Sequence, residues 1–188
     1  MAAKSKAQAK RGGSYDRRRA SRRLRIGRRR RKRVVPGKIW TTVRRSTRRY
    51  FLFRPDEHGQ VAAVFWYCLA VCARKHGIIV HAAVLMSTHV HLVYTDVRGV
   101  QPDFKRDFHR TFAQAMKALL GWPEEVFNKY LGGEHEPRTA DAVLDDIAYL
   151  IANPSSAFAV RYAKDWPGAK TLLPFPAPVD ADEGYDLG

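Results

Sequence analysis

The sequence has few cysteines and no long hydrophobic segment. Cys68 and Cys72 are the two cysteines, and they lie in one apolar stretch where we expect them to be core residues. A disulfide framework is therefore excluded, and so is a structural zinc site with four Cys or His ligands. The run of apolar residues 61–73 is shorter than the ~20 residues that a membrane helix needs, and the N-terminus lacks the apolar stretch of a signal peptide. We expect a cytoplasmic protein in a reducing environment.

Acidic residues are almost missing from the first part of the chain. Residues 1–33 contain 16 Lys and Arg but one acid, Asp16, whereas the rest of the chain is nearly neutral. Because this part also lacks apolar periodicity, we predict a disordered basic arm over residues 1–36. Such an arm favours a polyanion, most often nucleic acid, through contacts with phosphates; the alternative is a solvated tail. The predicted DNA-binding residues of the arm are Arg28, Arg29, Arg30, Arg31, Lys32 and Arg33.

Helical and strand patterns alternate through the body of the chain. The predicted strands are 39–53 (one or two pieces), 78–86, 89–95 and 126–131, and the predicted helices are 55–75, 102–120 and 139–153. Pro154 is expected to end the last helix, and residues 132–137 are expected to form a loop. Residues 61–73 are apolar nearly all round, which predicts a deeply packed helix. Four arginines interrupt the first strand region. They are predicted to contact DNA as a second group, or they form an exposed strand face. These residues are Arg44, Arg45, Arg48 and Arg49.

Two histidines stand out in the second strand of a predicted hairpin. His89 and His91 point to one face of the strand, whereas Val90 and Leu92 point to the other face. Two imidazoles on one face of a rigid strand can bind a divalent metal. The alternative is a pair of solvent-facing or hydrogen-bonded histidines.

A tyrosine and an asparagine share the polar side of the last predicted helix. Tyr149 projects roughly 160° from the mean direction of the apolar stripe of this helix, and Asn153 follows one turn later on the same side. The predicted stripe consists of Val143, Leu144, Ile147, Leu150 and Ile151. Asp145 and Asp146 lie on this side as well and are candidates for a supporting role. The simplest alternative is a surface tyrosine and an asparagine at a helix end.

These motifs together resemble the single-tyrosine HUH transposases, most closely the REP-associated tyrosine transposases. That family has a strand, a short turn and His-hydrophobe-His, as in residues 84–93 here, and later Tyr-Ile-x-x-Asn-Pro, which corresponds to residues 149–154. Asp165-Trp166-Pro167 is similar to an aromatic-Pro segment of the family. The resemblance covers residues 39–172. The sequence departs from the family pattern at the turn residues Ser87 and Thr88 and at 155–158, after Pro154.

The resemblance implies an α+β fold, a ferredoxin-like or RRM-like antiparallel sheet with helices packed on it. It implies a catalytic domain over residues 37–173, followed by an acidic, Pro-containing tail over 174–188. Tyr149 would be the nucleophile that cleaves single-stranded DNA and forms a 5′-phosphotyrosine intermediate. His89, His91 and Asn153 would bind Mg²⁺ or Mn²⁺. The expected partner is single-stranded or hairpin DNA, with no membrane and no nucleotide cofactor.

Two other functions stay open at this point. One is a DNA-binding protein of the same fold that has lost catalysis, which the departures at the turn and after Pro154 motivate. The other is a basic protein associated with RNA or the ribosome, which the basic arm motivates. A monomer and a homodimer are equally compatible with the sequence, and a DNA-acting protein would be associated with the nucleoid.

Overall fold

The computed structural model describes residues 34–171, and for Tyr130 and Leu131 the backbone alone. Its strands form one antiparallel sheet in the order β2-β3-β1-β4, which confirms the predicted ferredoxin-like α+β class. Residues 1–33 of the predicted arm and the whole acidic tail lie outside the described residues, so the domain boundaries remain predictions. The elements are β1 (Lys38–Ser46), α1 (Gln60–His76), β2 (Ile78–Met86), β3 (His89–Asp96), α2 (Gln101–Leu120), β4 (Phe127–His135) and α3 (Ala140–Ser156).

The two faces of the sheet are covered by different helices. α1 and α2 cover one face and form the large core, which is rich in aromatic side chains. Examples of its fully buried residues are Phe65, Phe104, Phe108, Phe112, Leu92 and Tyr94. The other face carries a smaller cluster, which we call the α3 core, made of Ala82, Val84, Met86, Val93, Leu150 and Trp166. Because side chains alternate along β3, Val90 and Leu92 face the large core, whereas His89, His91 and Val93 face the side that α3 covers.

A buried carboxylate joins the two helices of the large core. Asp107 of α2 is 5% exposed and accepts hydrogen bonds from Lys75 Nζ at 2.7 Å and, with His76 donating, from Nε2 at 3.0 Å. Hydrogen bonds from these two residues at the end of α1 hold the pKa of Asp107 well below its ordinary value. The carboxylate therefore fixes the position of α1 on α2 as long as it stays ionised.

The structure corrects four predicted boundaries. β1 ends at Ser46 and not at residue 53, and α1 begins at Gln60 and not at residue 55. β4 continues to His135, so the predicted loop over 132–137 is wrong in its first part. Gly132 and Gly133 pair with Arg44 and Val43 of β1, and this backbone pairing does not depend on side chains. α3 continues through Pro154 to Ser156, because a proline in the last turn removes one hydrogen bond and keeps a φ that suits a helix.

The prediction that α1 is deeply packed on all sides is also wrong. Its inner side, with Phe65 and Leu69, is buried, but Trp66, Tyr67 and Val71 are exposed. α1 lies in the layer of helices that covers this face of the sheet, so its outer side contacts no other described element. None of the helices within residues 34–171 combines the length and the apolar character that a membrane crossing requires.

Candidate functional site

His89 and His91 lie on β3, one of the two inner strands of the sheet. His91 is paired on both sides, with Val43 of β1 and Val84 of β2, and is 6% exposed. The centroids of the two imidazole rings are 4.7 Å apart. Thr88 Oγ1 lies 2.9 Å from His89 Nδ1, within hydrogen-bonding distance. The sheet thus holds both rings side by side on the face that α3 covers.

α3 brings the tyrosine and the asparagine to the same place. The Tyr149 ring lies 6.1 Å from the His91 ring, centroid to centroid, in an edge-to-face arrangement. The side chain of Asn153 hydrogen-bonds with His89 and is buried. Tyr149 is 61% exposed, so its ring lies beside that of His91 while most of its surface faces solvent. The structure therefore brings together His89, His91, Tyr149 and Asn153.

The buried side of α3 is rotated from the predicted one. Leu144, predicted to lie in the apolar stripe, is 63% exposed, whereas Asn153 is 7% exposed and the side chain of Asp146 is 20% exposed. The reason is that the sheet beneath α3 is polar on one side of the α3 core, at Thr41 and the two histidines, and Asp146 and Asn153 face this part of it. Tyr149 consequently lies at the flank of the helix, between the sheet and solvent.

Burial keeps both imidazoles neutral. It lowers the pKa of His91 to about 3, with further contributions from His89 and Arg45. Burial and the positive charges of Arg45 and Arg49 also lower the pKa of His89, whereas the hydrogen bond that His89 donates to the Asn153 side chain acts in the opposite direction. A neutral imidazole is the form that binds a metal ion, because its nitrogen lone pair is free.

The donor set suits a divalent metal that accepts both nitrogen and oxygen ligands. Within the described part of the chain, no three His, Cys, Asp or Glu side chains are grouped as metal ligands. The site instead offers two neutral imidazoles and the amide of Asn153, whose carbonyl oxygen is a hard donor. Mn²⁺ accepts this mixture readily, and Mg²⁺ prefers the oxygen. The residues therefore fit such an ion, with coordination positions left for a substrate.

The four arginines predicted on the body do not form one patch. Arg45 and Arg49 lie close enough to His89 to lower its pKa. Arg48 is bound to Glu124 at 2.9 Å. Arg44 points to the opposite face of the sheet, because it neighbours Arg45 in a strand. The charged run from Arg28 to Arg33 lies outside the described residues.

A turn with unusual backbone geometry supplies one of these cations. Arg48 and Arg49 have φ values of 47° and 57°, in the left-handed region that non-glycine residues seldom adopt. Such strain is typical of positions where a side chain must be aimed in one direction. Here it turns Arg48 to Glu124 and Arg49 toward the histidine side.

Sequence reasoning named Asp146 as a candidate for a supporting role but missed its partners, and it also missed the partner of Trp166. Asp146 accepts a hydrogen bond from Thr41 Oγ1 at 2.6 Å and lies 2.7 Å from His135 Nε2. Its position three residues before Tyr149 was a usable signal, but His135 was predicted to lie in a loop. Trp166 Nε1 donates to the backbone oxygen of Leu85 at 3.1 Å, which closes the far side of the α3 core.

Comparisons with solved structures identify similar folds. The structure of a REP-associated tyrosine transposase bound to a REP hairpin matches with a TM-score of 0.61 and 18% identity, covering 74% of this chain and 79% of that chain. The crystal structure of a protein from Deinococcus radiodurans R1, described there as a putative transposase, matches with a TM-score of 0.46 and 19% identity, covering 63% of this chain and 92% of that chain. No protein-family model and no curated protein matches. The described chain therefore has the fold of the REP-associated tyrosine transposases, and the predicted resemblance is confirmed at the level of fold.

Proposed function

We propose that the protein is a transposase-like endonuclease and strand transferase acting on single-stranded or hairpin DNA. The observation that carries the proposal is the closeness of Tyr149, His91 and His89. The ring centroids are 6.1 Å apart for Tyr149 and His91 and 4.7 Å apart for His91 and His89, and Asn153 is hydrogen-bonded to His89. A phenol next to two neutral imidazoles and an amide is a combination suited to phosphoryl transfer. The similar fold solved with a REP hairpin supports DNA as the partner.

Tyr149 is the nucleophile in this proposal. Its oxygen attacks the scissile phosphorus, the phosphorus–O3′ bond breaks, and the products are a 5′-phosphotyrosine link and a free 3′-hydroxyl. The phenol loses a proton and the leaving oxygen gains one. Because the phosphodiester energy is kept in the new link, another 3′-hydroxyl can reverse the reaction and join strands without a nucleotide cofactor.

Each neighbour of Tyr149 has a separate part in this step. His89, His91 and Asn153 would hold Mg²⁺ or Mn²⁺, which supplies charge stabilisation at a non-bridging phosphate oxygen. A free phenol has a pKa of ~10 and is a weak nucleophile at neutral pH, so this stabilisation is needed. Arg45 and Arg49 add positive charge on the same side, where they would position the incoming phosphate.

The test is an adduct assay on purified protein. Labelled DNA hairpins with single-stranded flanks are incubated with Mg²⁺ or Mn²⁺, and a protein–DNA adduct is sought on a denaturing gel. We expect an adduct in the wild type and none in Tyr149→Phe, His89→Ala or wild type with a chelator. Tyr162→Phe is a matched control, because Tyr162 is also exposed, at 52%, and keeps the nucleophile intact.

The same assay separates the proposal from its rivals. Hairpin binding without an adduct would identify a DNA-binding protein that has lost catalysis. Binding to structured RNA without binding to single-stranded DNA would identify the RNA-associated alternative. Either result would overturn the proposed nuclease.

A further inference from the structure

A second basic feature lies on the sheet face away from Tyr149. It is an open groove of about 870 Å³ between the C-terminal half of α2 and the start of β4. Four of its lining residues are cations, against one acid, Glu125. We call it the α2–β4 groove, and its main lining residues are Arg44, His109, Arg110, Lys117, Phe127 and Lys129.

Arg44 is the innermost cation of the groove. Burial lowers the pKa of its guanidinium, and its Nε is buried without a hydrogen-bond partner among residues 34–171. The guanidinium lies 5.9 Å from the centroid of the Phe127 ring. A buried donor without an acceptor is costly, and a guanidinium is matched best by an oxyanion that accepts two of its N–H groups.

The His109 ring lies in the same groove, close to the positive charges of Arg44 and Lys105. It lies 5.1 Å from the Phe127 ring, centroid to centroid. Burial lowers the pKa of His109 to about 3, and the charges of Arg44 and Lys105 add to the effect. The imidazole is thus neutral at pH 7, and an anion that enters the groove would be met by cations alone on the β1 and α2 sides.

We propose that the α2–β4 groove binds backbone phosphates of the DNA substrate, at a second site distinct from the one at Tyr149. The inference rests on the proposed function, which supplies the DNA. Arg44 offers the outer N–H groups of its guanidinium to a phosphate. Lys117, Lys129 and Arg110, whose Nη2 lies 3.6 Å from Asp107 Oδ1, add charge along the open rim. Because the groove and Tyr149 are on opposite faces of the sheet, a strand that reaches both passes around the β4 edge.

The first test is the salt dependence of DNA binding. The double variant Arg110→Gln/Lys117→Gln is compared with Arg74→Gln/Arg98→Gln, which removes the same charge from exposed positions away from the groove. Two lost phosphate contacts lower the slope of log K against log[salt] by about 1.5. We expect that change in the groove variant alone. Equal slopes in the two variants, both folded by circular dichroism, would overturn the proposal.

The second test reads the groove itself through the ring of His109. A bound phosphate stabilises the imidazolium, so saturating hairpin DNA should raise the pKa of His109 in an NMR titration. The charged groups that face or surround this ring are Arg44, Lys105, Arg110, Lys117, Glu125 and Lys129. No change with DNA would overturn the proposal. An equal response to inorganic phosphate at the same ionic strength would also overturn it, since that identifies a site for the free ion.

The two proposals fail in different ways. If wild-type protein forms no adduct but the groove variant still shows the lower salt slope, the nuclease is wrong and the groove stands. If the adduct forms and the groove variant keeps the wild-type slope, the groove is wrong and the nuclease stands.

Discussion

Replacing Leu150 by Ala should detach α3 from the sheet without unfolding the rest of the protein. Leu150 is 1% exposed and is the one fully buried apolar side chain that α3 contributes to the α3 core, next to Val84, Val93 and Trp166; Val143, Ile147 and Ile151 of α3 pack at its margin. A buried Leu→Ala substitution costs about 3 kcal/mol. That free energy shifts the balance between docked and undocked α3 by about two orders of magnitude. The large core of α1 and α2 is on the other face and loses no contact.

Amide hydrogen exchange measured by mass spectrometry tests this. We expect exchange in α3 to become about a hundredfold faster in Leu150→Ala, with exchange in α1 and α2 unchanged. Leu144→Ala is the matched control, because Leu144 is 63% exposed on the same helix and should change stability by less than about 0.5 kcal/mol. Equal acceleration in all three helices would refute the reasoning, since it would mean that both cores unfold together.

Two further predictions concern stability. The lowered pKa of Asp107 makes the ionised carboxylate a stabilising group above the unfolded pKa of ~3.9, and this contribution is lost as the pH falls below that value. Thermal unfolding of Asp107→Asn should therefore show a lower melting temperature at pH 7 and a weaker decline toward acid than the wild type; parallel curves would contradict this. Trp166→Phe removes the bond to the Leu85 oxygen and should cost about 1 kcal/mol in urea unfolding, and a loss near zero would show that water replaces the indole.

The hairpin and the helices were predictable because their sequence patterns are local. β2 and the start of β3 follow from β-branched and alternating residues, and the predicted start of β3 at His89 is the observed one. Gly121 ends α2 with φ +60°, in the left-handed region, as the sequence indicates. Periodicity decides these elements because one face of each meets an apolar core.

The predictions that were wrong concern elements whose structure depends on the residues that pack or pair with them. Leu144 was assigned to the buried side of α3 because only apolar residues were counted, but the polar sheet face selects Asp146 and Asn153 instead. The glycines of β4 carry no strand signal, and β1 supplies the pairing that extends β4 to His135. The alternation of side chains in a strand already predicts that Arg44 and Arg45 point to opposite faces of the sheet. The groove on one of these faces could not be predicted from the sequence.

The two edges of the sheet differ in their capacity for further pairing. At the β2 edge, Leu85 N donates to Ala169 O and Thr171 N donates to Ala83 O, each at 2.8 Å, so a short segment of the same chain already occupies that edge. Within residues 34–171, β4 has a sheet partner on one side alone, β1. An added strand from another molecule can therefore pair at β4, and Lys129 and Glu134 place charges there that oppose such pairing. Protection against edge-to-edge aggregation thus comes from backbone hydrogen bonds within the chain at one side of the sheet and from charged side chains at the other.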